Sequence, residues 1–252
     1  MTPDSFAALP LAPALTQGLD ALGYTTMTPV QARALPLILA GRDVIARAPT
    51  GSGKTAAFGL GLLQRADPTL GATQALVLCP TRELAQQVAQ QLRTLATGIA
   101  HLKVSVLCGG IPLAPQLASL VHAPHVVVGT PGRLLELVEH GALDLTAVRT
   151  LVLDEADRML DMGFEPQIRA LLKPLPRDRQ GLLFSATLPD GVHALARSLL
   201  RDAASVEADD APPPAIAHRF VEVASTQRAQ VLAALLLAHR PTACVAFCNM
   251  RR

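Results

Sequence analysis

Seven short apolar runs alternate with longer stretches of helical pattern. This rhythm constrains the chain more than any other feature. The runs are Val44–Ala46, Ala75–Cys79, Val104–Leu107, His125–Val128, Leu151–Leu153, Leu182–Phe184 and Ser205–Glu207. They are β-branched or Leu-rich and continuous rather than alternating, as strands buried on both faces are. Arg82–Ala96, Arg133–His140 and Val192–Leu200 lie between them and read as helices. The β-α-β rhythm predicts an α/β fold, a parallel sheet with helices on both faces.

The pattern changes after residue 207. Asp209-Asp210-Ala211-Pro212-Pro213-Pro214 is acidic and Pro-rich, so residues 208–216 read as a stiff extended linker. Beyond it come an expected strand (Ala217–Val223), a helix (Thr226–His239) and a strand (Ala243–Phe247). One such unit cannot bury both faces of its sheet. Residues 217–252 are therefore read as the truncated start of a second domain, and residues 1–207 as the first. The 252 residues fit one to two domains.

Half of the residues are apolar and 17% are charged, which excludes a disordered chain. The net charge of +2 does not announce a nucleic-acid partner. Residues 1–207 hold 17 basic and 17 acidic side chains, so any basic surface there arises from arrangement. With one Tyr and no Trp, a platform of interleaved aromatics for stacking bases is excluded. Cys79 and Cys108 end apolar runs and read as small buried hydrophobes. Cys244 and Cys248 lack zinc-knuckle spacing and a second pair. The N-terminus has no basic segment of the signal-peptide kind, and no apolar run reaches the ~18 residues of a membrane span. A soluble, cytoplasmic monomer without a membrane partner is expected.

Ala48-Pro49-Thr50-Gly51-Ser52-Gly53-Lys54-Thr55 follows a strand and opens an apolar helix. Gly51 and Gly53 allow the backbone to wrap around phosphates, and the helix N-terminus adds positive dipole. Lys54, one of only three lysines, would reach the β- and γ-phosphates, and Thr55 would bind Mg²⁺. Leu151–Asp157 is a strand ending in acids, which puts carboxylates at the sheet edge where α/β folds bind ligands. Asp154 would hold Mg²⁺ and Glu155 would polarise the attacking water. Taken alone, the acids could equally be an acidic helix cap.

Three other loops each follow an expected strand: Pro80-Thr81-Arg82-Glu83, Gly109-Gly110, and Thr130-Pro131-Gly132-Arg133. Their arginines, hydroxyls and N–H groups suit phosphate and sugar contacts, and each is also ordinary turn chemistry. Ser185-Ala186-Thr187 ends a further strand and could hydrogen-bond a neighbouring acid. Gln31 could read an adenine edge with one donor and one acceptor, and Tyr24 could face the ring. From the residues alone, a plain helix-start turn is the better account of that pair.

Together these residues resemble the DEAD-box family of ATP-dependent RNA helicases. Phe6 with Gly23–Gln31, Ala48–Thr55, Pro80–Ala85, Gly109-Gly110, Thr130–Arg133, Asp154-Glu155-Ala156-Asp157 and Ser185–Thr187 occur in family order. Stretches such as KTAAFGLGLL and LVLDEADRMLDMGF are most similar to the bacterial branch acting on large-subunit ribosomal RNA. The resemblance implies a RecA-like P-loop NTPase fold, with a Q motif over residues 6–31. It implies that Tyr24 and Gln31 contact adenine, with Phe6 supporting Tyr24. Thr50, Gly51, Ser52, Gly53, Lys54 and Thr55 would bind ATP phosphates, and Asp154 and Glu155 would act on Mg²⁺ and water. Asp157, Ser185 and Thr187 would couple hydrolysis to RNA. Thr81, Arg82, Gly110, Thr130 and Arg133 would touch the RNA backbone.

Val245–Met250 is similar to the opening motif of the family's second RecA-like domain. The later motifs, which supply arginine fingers, would lie beyond Arg252, so these residues alone are expected to be nearly inactive. The sequence thus points to an RNA-dependent ATPase that unwinds short duplexes. An ATP-gated RNA clamp without turnover and a DNA-translocating ATPase are the alternatives.

Overall fold

A computed structural model describes residues 5–208, 217, 219–224 and 227–247. The chain divides into two compact units, Met1–Ala211 and Pro212–Arg252. In the first, seven strands form one sheet: β1 (Val44–Arg47), β2 (Ala75–Leu78), β3 (Val104–Leu107), β4 (Val126–Gly129), β5 (Thr150–Asp154), β6 (Gln180–Ser185) and β7 (Ala204–Glu207). Their order is β3-β4-β2-β5-β6-β1-β7, and every pair is parallel. Each of the seven expected runs is a strand, with ends shifted by at most two residues and Val104–Leu107 unshifted.

The continuous apolar runs are explained by the pleat, which sends successive side chains to opposite faces. Val44, Ala46, Ala75, Val77, Val126, Val128, Val152, Leu182 and Phe184 enter one core. Helices α1 (Pro13–Ala21), α2 (Pro29–Leu39), α3 (Lys54–Arg65) and α4 (Arg82–Leu95) cover that face. Ile45, Leu76, Leu78, Val127, Leu151, Leu153 and Leu183 enter the other core. There they meet α6 (Pro131–Glu139), α7 (Ala156–Asp161), α8 (Glu165–Leu172) and α9 (Asp190–Leu199). Helix α5 (Leu113–Leu120) packs at the margin of this second layer through Leu113 and Leu120.

Gly18 is where α1 meets the end of α4. A Cβ there would lie 2.1 Å from the Leu95 carbonyl oxygen and 2.7 Å from Leu95 Cα. Both are backbone atoms, so no side-chain rotation relieves the clash. Gly18→Ala is expected to cost about 1–3 kcal/mol and lower the unfolding midpoint by about 3–10 °C. An unchanged midpoint in a thermal melt would mean that α1 can shift freely on α4.

In the second unit, helix α10 (Arg228–His239) forms within the expected Thr226–His239, Thr226 itself lying outside the described residues. The expected strands do not form: residues 217, 219–224 and 244–247 carry none. Strands need hydrogen-bonded neighbours, and a lone β-α-β unit supplies few. Phe220 and Phe247 are almost wholly exposed. Most of the expected linker (209–216) and residues 248–252 lie outside the described residues.

Candidate functional site

The motifs that follow strands all open at the C-terminal end of the sheet, and the strand order sorts them into two sets. β3, β4 and β2 are neighbours, and after them come Gly109-Gly110, Thr130–Arg133 and Thr81-Arg82. β5, β6 and β1 are the next neighbours, and after them come Glu155–Asp157, Ala186-Thr187 and the loop Ala48–Gly53. At ~4.8 Å between strands, each set spans about 10 Å of the edge.

The loop between β1 and α3 depends on two left-handed glycines, Gly51 at φ +86° and Gly53 at φ +91°. Side chains disfavour this region, which is why glycine stands there. Gly53 is doubly constrained, because a Cβ on it would lie 2.4 Å from Gln31 Nε2. Gln31 is buried at the start of α2 and clamps this loop. Its Oε1 accepts from the Thr28 N–H at 2.9 Å, and its Nε2 donates to the Gly53 carbonyl at 3.0 Å. One amide N–H and one lone pair remain for a ligand. Thr28 Oγ1 is buried without a partner. Lys54 is buried, and its Nζ donates to the Ala48 carbonyl at 3.0 Å.

Asp154 is the last residue of β5 and is 2% exposed. Its Oδ1 is buried without a hydrogen-bond partner. Burial pushes its carboxyl up to about 6, against the pull of the Lys54 ammonium, and the nearby Glu155 charge adds to the rise. Glu155 caps α7 with left-handed backbone, φ +54° and ψ +54°. That conformation costs a non-glycine residue about 1–2 kcal/mol, and it aims the carboxylate back at the loop. Glu155 Oε1 accepts from Thr50 Oγ1 at 3.0 Å, and Oε2 meets Arg158 at 2.7 Å.

Asp157 ties this helix to the end of β6. Its Oδ2 accepts from Thr187 N–H at 2.9 Å and Thr187 Oγ1 at 2.7 Å. Its own N–H donates to Ser185 Oγ at 3.1 Å. Burial raises its carboxyl, but the Thr187 and Ser185 bonds outweigh burial and hold it below the usual carboxylate range.

At the other half of the edge, Thr81 caps α4 by accepting from the Leu84 N–H at 3.2 Å. Arg82 is exposed and paired with Glu83 at 3.1 Å. Thr130 Oγ1 accepts from the Gly109 N–H, and Gly110 is left-handed at φ +73°. Arg133, expected on the RNA backbone, is engaged within the protein here. Its side chain is mostly buried, with both terminal nitrogens 3.0 Å from the Ile111 carbonyl and Nε on Glu136. It anchors the loop after β3 and leaves few donors for solvent. Phe6 and Tyr24 stack at 6.4 Å and 14°, and Tyr24 Oη accepts from Gln91 Nε2 at 2.9 Å.

Sequence reasoning missed Arg158 and Gln91, and it named Thr50 for the phosphates without its bond to Glu155. Arg158 stands three residues after Glu155 at a helix start, a spacing that signals such a pair. Thr50 and Gln91 lie 105 and 67 residues from their partners, and no local pattern carries such contacts.

The DEAD/DEAH box helicase family model matches residues 28–195. The chain belongs to that family. It is 54% identical to the ATP-dependent RNA helicase DbpA of Escherichia coli strain K12, over 96% of this chain and 53% of that protein. It is 38% identical to the DEAD-box ATP-dependent RNA helicase CshA of Geobacillus kaustophilus, over 98% of this chain and 53% of that protein. The crystal structure of a DEAD box protein from the hyperthermophile Methanococcus jannaschii superposes with a TM-score of 0.78 at 36% identity. That match covers 92% of this chain and 63% of that one. The parallel sheet with helices on both faces is thus the RecA-like fold of DEAD-box proteins. The chain spans about half the length of the curated relatives it matches.

Proposed function

We propose that this chain is the ATP-binding half of an ATP-dependent RNA helicase. RNA-stimulated ATP hydrolysis would drive local unwinding of short duplexes. Residues 1–207 act as the first RecA-like domain, 208–216 as a linker, and 217–252 as the start of the second. The whole protein works as a cytoplasmic monomer on large-subunit ribosomal RNA during ribosome assembly.

The observation that carries this reading is the division of the sheet edge. The Gly-rich loop leading to Lys54 and the carboxylates gather after β5, β6 and β1. Hydroxyl, glycine and arginine groups gather after β3, β4 and β2. Hydrolysis and RNA contact therefore share one rigid sheet.

Lys54 leaves the Ala48 carbonyl to bind phosphate, while loop N–H groups orient the chain of phosphates. Tyr24, backed by Phe6, and the remaining amide groups of Gln31 take the adenine. The orphaned Asp154 oxygen suits a divalent cation. Thr55 and Asp154 would hold Mg²⁺, which when bound neutralises phosphate charge. Glu155, steadied by Arg158, orients water through Oε1 and accepts its proton. Asp157, Ser185 and Thr187 link the acids to β6, so a shift at the RNA edge reaches the reacting phosphate. Thr81, Arg82, Gly110, Thr130 and Arg133 meet the RNA backbone, Arg133 with the N–H groups that Ile111 and Glu136 leave over.

The test is Glu155→Gln in the complete protein. The amide cannot take up a proton, while Asp154 is untouched. Affinity for a non-hydrolysable ATP analogue should stay within a factor of about two, and RNA-stimulated phosphate release should fall by about 10²–10⁴. Turnover near the parent rate would assign water activation to another group. Equal stimulation of the parent by DNA and RNA would contradict an RNA helicase.

A further inference from the structure

Tyr24 lies in the loop between α1 and α2, half-buried and stacked on Phe6 through one ring face. Stacking fixes the ring plane but leaves the ring free to slide and turn within it. A second restraint is present at the phenol. Gln91 Nε2 donates to Tyr24 Oη at 2.9 Å, and among the described residues this is the phenol's only side-chain hydrogen bond. Gln91 is well placed to hold a neighbour still. Helix α4 buries Ala85, Val88, Ala89, Leu92 and Leu95 in the core, and Gln91 is half-buried one turn from both Val88 and Leu95. An open concavity of about 680 Å³ lies beside this pair, lined by Leu22, Tyr24, Gln91 and neighbouring glutamines of α4. With open space there, packing does not restrain the phenol edge.

We infer that Gln91 is a positioning residue for base recognition: it fixes the Tyr24 ring in the orientation that meets the nucleotide base. The inference rests on the proposed role of Tyr24. It separates two parts of nucleotide binding, because Gln91 acts on the base and not on the phosphates. It also makes the phenol hydroxyl matter, whereas stacking alone would be served equally by phenylalanine.

The chain suits a direct test. Tyr24 is its one tyrosine and there is no tryptophan, so tyrosine emission reports on this ring alone. The probes are a non-hydrolysable ATP analogue and inorganic tripolyphosphate, titrated into the parent, Gln91→Ala, Gln91→Glu, Tyr24→Phe and the Gln91→Ala/Tyr24→Phe double variant. Gln91→Ala and Tyr24→Phe should each weaken the ATP analogue by about threefold to tenfold, the usual worth of one neutral hydrogen bond. The double variant should lose no more than either single one, since both remove the same bond. Gln91→Glu should restore affinity to within about twofold, because a carboxylate accepts from the phenol hydroxyl. Tripolyphosphate affinity should not change in any variant. Gln91→Ala should also alter the parent's tyrosine emission, and Gln91→Glu should partly recover it.

Equal loss for ATP analogue and tripolyphosphate would make Gln91 a fold residue and overturn the inference. So would unchanged ATP-analogue affinity in Gln91→Ala, with the nucleotide site itself left standing. A parent that bound neither probe would instead overturn the nucleotide site on which the inference rests.

Discussion

Lys54→Ala is expected to abolish nucleotide binding. Lys54 is buried where α3 begins, and its ammonium is held by the Ala48 carbonyl at the start of the same loop. A neutral carbonyl is a weak partner for a buried charge. A phosphate is a strong one, since charge-assisted bonds are worth about 1.5–3 kcal/mol and gain further in a site of low dielectric. Affinity for a non-hydrolysable ATP analogue should therefore fall by at least about a hundredfold in a calorimetric titration. The glycines that shape the loop are untouched, so the fold should persist. The substitution also withdraws the positive charge that opposes the rise of the Asp154 carboxyl, which should climb above its present value of about 6. Unchanged affinity would remove Lys54 from the site.

The strands and the loops that follow them were legible because each depends on local sequence. A strand buried on both faces must be apolar through its middle, as Val44–Ala46, Leu76–Leu78, Val126–Val128, Leu151–Leu153 and Leu182–Phe184 are, whereas β7 at the sheet edge buries only Val206. Phosphate-loop glycines must adopt positive φ, and Gly51 and Gly53 do. The strand order was not legible, since Val126–Val128 and Leu76–Leu78 are equally apolar and carry no mark of their neighbours. Yet that order divides the edge into its two halves. Side-chain commitments were also hidden. Arg133 looks free in sequence, but three of its five N–H groups are held by Ile111 and Glu136. Gln31 looks like a base reader, and it is also the clamp on Gly53. The expected strands at 217–223 and 243–247 mark the opposite limit: β-type composition does not make a strand without hydrogen-bonding neighbours.

Asp154→Asn is expected to make the fold more resistant to rising pH. An aspartate ordinarily titrates near 3.8, and burial lifts this one to about 6. The charged form is thus disfavoured in the folded state. The sign follows directly. Below about pH 3 the carboxyl is neutral in both states and costs nothing. Between about pH 3 and 6 the unfolded chain ionises first, and the folded state loses stability. Above about pH 6 the full penalty of about 3 kcal/mol is in place. Asparagine cannot ionise, so the variant escapes the penalty at every pH. The attraction to Lys54 is already contained in the net rise to about 6, and the cost of burying the new amide depends little on pH. Relative to the parent, the variant's unfolding midpoint should therefore rise by about 6–12 °C between pH 4 and pH 7.5. Divalent-cation-dependent nucleotide binding should be lost throughout, because a neutral amide is a poor ligand for Mg²⁺. The measurement is a series of thermal melts of both proteins across that range. Parallel curves would mean that Asp154 is solvated enough to ionise normally. A variant that lost ground as pH rose would mean that the Lys54–Asp154 attraction outweighs the burial of the carboxylate.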